Sequence, residues 1–245
     1  MRRYKIKIEY DGTPFVGWQF QKNGLSIQEV IQKAIFNFSK EKIVLTGAGR
    51  TDSGVHALAQ VAHFDLKKKI EKKKILAGIN HNIGNKPISI LNVNKTNKKF
   101  HARFDAKKRT YQYVIINRQS PLTLQKNKAW HVRKKLNVKA MKKGAKILLG
   151  THDFSTFRAS SCQAKSPIKT LKKASVKKDG DKIILKFTSK SFLQQQVRSM
   201  AGCIKYLGDG TWNIDNFKKV FKSKNRIKCA PPAPACGLYL KEVSY

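Results

Sequence analysis

The feature that most constrains the fold is a strand–helix rhythm that runs through the chain twice. In the first half, residues 4–10 alternate apolar and polar side chains, which predicts a half-buried strand. Ser26, with Glu29 three residues later, forms a capping box that predicts the start of a helix. Further strands are predicted at 42–46, 59–65 and 88–94, and a basic helix at 70–82. The order β-α-β-β-α-β is that of a ferredoxin-like domain.

The second half follows the same rhythm without repeating the sequence. Strands are predicted at 109–117, 168–177, 182–188 and 237–244, and helices at 137–149, 191–207 and, more briefly, 213–222. We therefore predict an α+β protein of two ferredoxin-like βαββαβ halves, with mostly antiparallel strands, helices on one face, and opposite faces that build a shared central cleft. The boundary is expected within 97–107, which gives an N-terminal half at 1–102 and a C-terminal half at 103–245.

The charge of the chain points to a polyanionic partner. Among 245 residues, 52 are Lys or Arg and only 14 are Asp or Glu, for a net charge of +38. Such a field attracts nucleic acid. The excess is mostly lysine, so a compositional bias of the surface is the alternative explanation.

Membrane and metal sites are not indicated. No apolar run approaches the roughly 18 residues of a membrane span, and the N-terminus leads directly into a strand pattern, so we expect a cytoplasmic protein. The four cysteines form no CxxC pair and the histidines show no ligand spacing, so no metal is expected. The thiols are expected to be buried or idle in a reducing compartment.

One glycine-rich loop contains an acid, although acids are scarce in this chain. In GAGRTDSG, residues 47–54, Asp52 lies two residues after Arg50 and just before a strand pattern. Glycines permit close approach to a ligand, and a neighbouring cation keeps a carboxylate ionised. The alternative is that Asp52 only forms a turn, as Asp often does. No P-loop is indicated, because neither GKS nor GKT follows.

Two further stretches combine aromatic residues with polar or basic ones. Residues 10–21, YDGTPFVGWQFQ, are expected either to contact RNA or to form a packed loop anchored by Trp18. Residues 100–115 place a basic run beside Tyr111 and Tyr113, which share one face of their strand. That interleaving suits a nucleic-acid surface, although two core tyrosines are the simpler explanation.

Arg198 lies on a predicted helix whose other side is apolar. An arginine in that position is costly to bury unless it meets a carboxylate, and Asp52 is one candidate. The alternative is an arginine that faces solvent.

Taken together, these stretches resemble the tRNA pseudouridine synthase A family. The matching motifs follow the family's order over nearly the whole chain: YDGTPFVGWQFQ, GRTDSGVHALAQVAHF, FHARFDAKKRTYQY, HDFSTFRASSCQAKSPIKT, SFLQQQVR and APPAPACGLYL. The resemblance implies conversion of uridine to pseudouridine at positions 38, 39 and 40 of the tRNA anticodon stem-loop. It also implies no cofactor or metal, a homodimer with basic clefts for tRNA, and two halves joined through a continuous antiparallel sheet.

The resemblance also implies a role for each site residue. Asp52 matches the catalytic aspartate, whose chemistry parallels a glycosidase nucleophile; the alternatives are attack on C1′, attack on the base, and removal of a sugar proton to give a glycal. Tyr111 matches the tyrosine that stacks on the uracil and assists loss of the C5 proton. Arg198 matches the basic partner of the aspartate, Arg50 the arginine that assists base flipping, and Leu238 an apolar residue of the pocket floor. The three glutamines before Val-Arg depart from the family's usual mixed stretch.

Two other functions fit parts of the sequence. A non-catalytic RNA-binding protein explains the charge and the ferredoxin-like halves, but not the acid in the glycine loop. A glycosidase-like hydrolase needs a second carboxylate, and no motif supplies one with an evident acid–base role; Asp153 and Asp105 are the nearest candidates.

Overall fold

The computed structural model describes residues 1–245, which form ten strands and five α-helices. In chain order these are β1 (Arg2–Tyr10), α1 (Ile27–Ser39), β2 (Thr46–Gly47), β3 (His56–Leu66), α2 (Lys72–Ile83), β4 (Ile88–Thr96), β5 (Lys108–Asn117), β6 (Trp130–Val132), α3 (Val138–Ile147), β7 (Gly150–Asp153), β8 (Ile168–Asp179), β9 (Lys182–Ser189), α4 (Gln196–Gly208), α5 (Ile214–Lys222) and β10 (Leu238–Ser244). The predicted α+β class with mostly antiparallel strands is confirmed.

The first compact unit comprises residues 1–107 and 239–245. Its antiparallel core has the strand order β4-β1-β3, and the short β2 pairs with β3 further on, so the predicted β-α-β-β-α-β order is observed. Near the start of β3, β10 adds a short parallel pairing through Tyr239 and Leu240. The helices α1 and α2 pack on each other, and α2 packs on β4.

Alternation along β1 decides which face is covered. Tyr4, Ile6 and Ile8 are buried, whereas Lys5 and Lys7 between them are half-buried or exposed. Successive side chains of a strand point to opposite faces, so β1 presents an apolar row to the core and carries its lysines on the other face.

The second compact unit comprises residues 108–238. It contains the antiparallel order β5-β9-β8-β7, and β6 pairs parallel with β5. The helix α3 packs on α4, α5 and β8. Residues 239–245 of the last strand belong to the first unit, whereas the predicted division at 102/103 assigns them to the second half. The assignment of the site residues to two separate halves stays a prediction.

Three element predictions differ from the structure. Residues 42–45 are irregular rather than a strand, and only Thr46–Gly47 pair with β3. The helix predicted over 191–207 begins at Gln196, because Gln195 adopts a left-handed conformation with φ 60° that a helix cannot include. The short strands β6 and β7 have no counterpart among the predictions.

Candidate active site

Asp52 lies in the loop that joins β2 to β3 in the first unit. Its side chain is half-buried, and the Arg50 side chain two residues earlier is exposed. The Asp52 carbonyl accepts a hydrogen bond from Val55 N at 3.2 Å, and Gly54 has φ 73°, so the backbone turns sharply after the acid. Asp52 therefore forms a turn through its backbone and carries a half-buried carboxylate just before β3.

The segment 10–21 holds this loop from one side. Tyr10 Oη lies 2.9 Å from Thr51 Oγ1 in a buried contact, and Trp18 N donates to Thr51 O at 3.0 Å. Gly17 has φ 113°, and a Cβ there would lie 2.7 Å from Thr51 O. Only glycine fits that close approach without strain.

The aromatic residues of this segment decide between the two explanations given above. Phe15 and Trp18 are each 3% exposed, so the motif is chiefly a packed loop that supports the Asp52 loop. Phe20 is 56% exposed and is the one aromatic of the segment that is available to a ligand.

The strand β3 holds the Asp52 loop from the other side. Gln60 Nε2 donates to Gly49 O at 2.8 Å, and Ala48 N donates to Val61 O at 2.7 Å. Gln60 is fully buried, so its amide is committed to this anchor. Asp52 and Arg50 thus lie on a loop whose backbone is fixed at both ends.

Tyr111 lies on β5 in the second unit. It is 9% exposed, it faces Phe187 across the β5–β9 pairing, and its ring packs edge-on against Phe192 with centroids 5.2 Å apart. Tyr113, two residues on and on the same face, is fully buried and donates from Oη to Pro234 O at 2.7 Å. Burial raises the pKa of the Tyr113 hydroxyl, so that phenol is a neutral hydrogen-bond donor.

Arg198 lies in the first turn of α4 and is half-buried. Its Nε donates to Ala233 O at 2.8 Å, and its carbonyl accepts from Ala233 N at 3.0 Å. Burial raises the pKa of the Tyr113 hydroxyl and of the Cys236 thiol, and the positive charge of Arg198 offsets part of that rise. The guanidinium therefore lies near both groups. The explanation that Arg198 faces solvent is therefore wrong.

The segment 230–238 connects these residues. It supplies consecutive carbonyls, Ala233 O to Arg198 and Pro234 O to Tyr113. A Cβ on Gly237 would lie 2.7 Å from the Tyr113 ring, so this position has room only for glycine. Leu238 follows at the start of β10 and is 6% exposed. The structure thus places Tyr111, Arg198 and Leu238 in one unit, in which the proline-rich segment bonds Arg198 and Tyr113.

The motif at 152–170 contacts the residues that lead into the start of α4. Ala159 N donates to Gln194 O at 3.1 Å, and Gln194 N lies 3.4 Å from Cys162 Sγ. Gln196 is fully buried and accepts from Leu193 N at 2.8 Å. These contacts fix the extended residues before Arg198, so the glutamine run that departs from the family pattern has a structural role here.

The sequence reasoning missed Thr51 as a residue of the site region, and it did not predict the burial of Arg109. Thr51 adjoins Asp52 and receives both the Tyr10 and the Trp18 contacts. Arg109 was grouped with an RNA-facing basic run, yet it is 8% exposed and donates to Lys190 O, so it supports the strand edge. No residue pattern would have separated Arg109 from its exposed neighbours, because burial at that position depends on the partner strand.

Two searches of the whole structure gave no further site. None of the five helices has the length and apolarity needed to cross a membrane. Nowhere do three or more His, Cys, Asp or Glu side chains come together as a possible metal site.

Comparison with known proteins decides the family. The sequence profile of the family described as tRNA pseudouridine synthase matches residues 6–105 and 145–245. This chain belongs to that family. Its members isomerise uridine to pseudouridine in tRNA.

Full-length relatives agree with this assignment. The chain is 57% identical to the tRNA pseudouridine synthase A of Pelagibacter ubique (strain HTCC1062) over 246 residues, covering 100% of both chains. It is 46% identical to that of Maricaulis maris (strain MCS10), covering 100% of this chain and 98% of the other, and 44% identical to that of Rhodospirillum centenum (strain ATCC 51521 / SW), covering 100% of both. The family assignment therefore applies to the whole chain and includes both the Asp52 loop and the Arg198 helix.

Proposed function

We propose that this enzyme isomerises uridine at positions 38, 39 and 40 of the tRNA anticodon stem-loop, with Asp52 as the catalytic nucleophile. The observation that carries the proposal is the anchoring of the Asp52 loop by buried groups on both sides, at Thr51 and at Gly49. A reacting carboxylate needs such a rigid support to hold its geometry. A loop that only turned the chain would not need two buried anchors.

The reaction breaks the N1–C1′ bond, rotates the uracil and joins C5 to C1′. The half-buried Asp52 carboxylate meets the oxocarbenium-like charge that develops at C1′. The uridine must leave its stack to reach the carboxylate, and exposed Arg50, on the same loop, assists that flipping. Tyr111, nearly buried with its ring against Phe192, stacks on the uracil and assists loss of the C5 proton.

The remaining site residues position these groups. In this proposal Arg198 is the basic partner of the Asp52 carboxylate, as the family resemblance implies. Its Nε already bonds Ala233 O, so its terminal nitrogens are held in a defined direction. Leu238 supplies apolar surface to the pocket floor, in keeping with its 6% exposure.

Binding of tRNA follows from charge. The net charge of +38 and exposed basic side chains such as Lys7 supply sites for backbone phosphates. We further propose that the enzyme is a homodimer and that it works in the cytoplasm, where its tRNA substrates are found. No cofactor or metal is included in this mechanism.

The specificity is tested with tRNA transcripts that carry a single uridine in the anticodon stem-loop, at position 38, 39 or 40. The purified enzyme is expected to convert each one, and to leave transcripts with uridine only at other positions unchanged. Conversion at other positions, with none at these three, would reject the proposed substrate. Mapping pseudouridines in tRNA from cells with and without the gene extends the same test to natural substrates.

A further inference from the structure

Two cysteines of the second unit lie against each other. Cys203 Sγ on α4 and Cys229 Sγ in the segment after α5 are 3.4 Å apart, and both thiols are free. A disulfide requires an S–S distance of about 2.05 Å, so the two sulfurs are about 1.4 Å from bonding. The pair therefore needs only a small movement to close.

The two thiols differ in access and in acidity. Cys203 is fully buried, whereas Cys229 is half-buried and keeps some access to solvent. The hydrogen bond between the two sulfurs lowers the pKa of the Cys229 thiol and raises that of Cys203, and the guanidinium of Arg226 favours the Cys229 thiolate further. Because the thiolate is the reactive form, Cys229 is the sulfur that meets an oxidant first.

The segment that begins at Cys229 lies along α4 and reaches the site. Next to Cys203 on α4, a Cβ on Gly202 would overlap Pro231 O of the segment. The backbones of α4 and of this segment are therefore in close contact. One turn further, Arg198 and Ala233 exchange two hydrogen bonds, at 2.8 and 3.0 Å. Pulling Cys229 toward Cys203 therefore shifts the segment that holds Arg198.

We propose that Cys203 and Cys229 form a hydroperoxide-sensitive dithiol, whose disulfide slows pseudouridine formation by displacing the segment that holds Arg198. The effect on activity rests on the proposed role of Arg198, whereas the formation of the disulfide does not. Cys162 Sγ instead contacts Gln194 N, and Cys236 Sγ contacts Ala129 O.

The chemistry balances with a hydroperoxide as the oxidant. The Cys229 thiolate attacks one peroxide oxygen, which breaks the O–O bond and gives Cys229 sulfenic acid and hydroxide. Cys203 sulfur then attacks the Cys229 sulfur, the S–O bond breaks, and water leaves as the disulfide forms. Two thiols lose two electrons, the peroxide gains them, and a dithiol reductant reverses the change.

Oxidation sites are read by mass spectrometry on the native protein. A Cys162→Ser/Cys236→Ser variant keeps only the pair, and trypsin separates its cysteines into peptides 199–205 and 229–241. After stoichiometric hydrogen peroxide and alkylation, we expect those peptides to be linked, with the loss of two hydrogens, in this variant and in the natural chain. Two free thiols after treatment, or linkage through Cys162 or Cys236 in the natural chain, would overturn the proposal.

Single variants test the order of the steps. In Cys203→Ser, Cys229 is expected to gain one oxygen and react with dimedone, because no thiol is present to resolve it. In Cys229→Ser, buried Cys203 is expected to stay reduced under the same treatment. The opposite pattern would contradict the assignment of Cys229 as the attacking sulfur.

The link to activity is tested on the same samples. The oxidised Cys162→Ser/Cys236→Ser protein is expected to turn over at least about fivefold more slowly than its reduced form, since a misplacement near 1 Å can cost that much or more. Dithiothreitol should restore the rate. A linked but fully active protein would reject the switch, whereas a reduced natural chain without activity would count against the proposed function and leave the thiol mapping valid.

Discussion

Tyr10 Oη lies 2.9 Å from Thr51 Oγ1, so the residue before Asp52 is tied to the end of the first strand through two buried hydroxyls. Tyr10 itself is fixed by β1, whose alternating pattern is the clearest strand signal in the sequence. The position of the proposed nucleophile therefore depends on a strand that is distant in sequence and contains no catalytic residue.

Removing the Tyr10 hydroxyl should loosen this anchor. Tyr10→Phe leaves the Thr51 hydroxyl without this partner, and we expect a loss of about 1–2 kcal/mol in the free energy of unfolding. The kcat for pseudouridine formation should fall, while tRNA affinity stays within twofold. Tyr4→Phe is the matched control, because Tyr4 Oη bonds Ile70 O at 3.1 Å from the same strand, away from the Asp52 loop. Equal kcat losses in the two variants would show that the Tyr10 contact has no special role.

A side chain at Gly17 should displace the Asp52 loop. Gly17→Ala combines φ 113° with a Cβ that would lie 2.7 Å from Thr51 O, and this contact is with backbone that cannot swing aside. We expect a loss of roughly 2 kcal/mol or more in unfolding free energy, together with a fall in kcat. Gly84→Ala is the control, since φ there is 64° but nothing lies within 4 Å of the added Cβ. It should lose about 1 kcal/mol and keep its kcat. An active, stable Gly17→Ala enzyme would contradict the close approach.

Replacing Arg198 by lysine should distinguish the effect of its positive charge from the effect of its hydrogen-bond geometry. Arg198→Lys keeps the positive charge but removes the Nε donor to Ala233 O and the planar fork. We expect kcat to fall by about 10- to 100-fold, with tRNA affinity nearly unchanged. Arg118→Lys, at a more exposed position, is the control and should leave both unchanged. Parallel losses of kcat and affinity for Arg198→Lys would indicate a phosphate contact instead.

The stability of the first unit should fall in mild acid because of His63. Burial, aided by the nearby Arg3 guanidinium, lowers the pKa of His63 to about 4. The unfolded chain takes up this proton near pH 6.5, and the folded protein only near pH 4, so stability present above pH 6.5 is lost as the pH falls toward 4. The loss attributable to this group is roughly 3 kcal/mol at most.

A variant isolates that contribution. His63→Asn keeps an acceptor for Ala102 N, which bonds His63 Nδ1 at 3.1 Å, but it cannot titrate. Between pH 6.5 and 4, its thermal midpoint should fall less than that of the natural chain. His81→Asn, at an exposed histidine, should behave like the natural chain. Identical pH profiles for the natural chain and His63→Asn would rule out this role.

The sequence predicted the elements that local signals determine. Ser26 caps α1 as expected, with its Oγ accepting from Glu29 N at 3.2 Å, and β3 includes the whole of the strand predicted at 59–65. Periodicity and caps are local properties, so they can be read without knowing what packs on the element.

Other parts depended on contacts distant in sequence. The start of α4 is set by the left-handed Gln195 and by the 159–164 loop that holds Gln194, neither of which the helical pattern of 191–207 reveals. The strands β6 and β7 are too short for a pattern and exist through their pairing with β5 and β8. In the candidate site, Asp52 and Arg198 are predictions from the motifs, whereas the burial of Arg109 could not be predicted, because it depends on the neighbouring strand.

The most direct test of the proposed mechanism is tritium release from tRNA labelled at uracil C5, with Asp52→Asn compared to the natural chain. Only formation of the C5–C1′ bond frees the label, and the substitution keeps the size of the side chain while removing its charge. We expect no release above background from Asp52→Asn, while its tRNA affinity and thermal midpoint stay close to those of the natural chain. Sustained release by a verified Asp52→Asn protein would contradict the assignment of Asp52 as the catalytic residue.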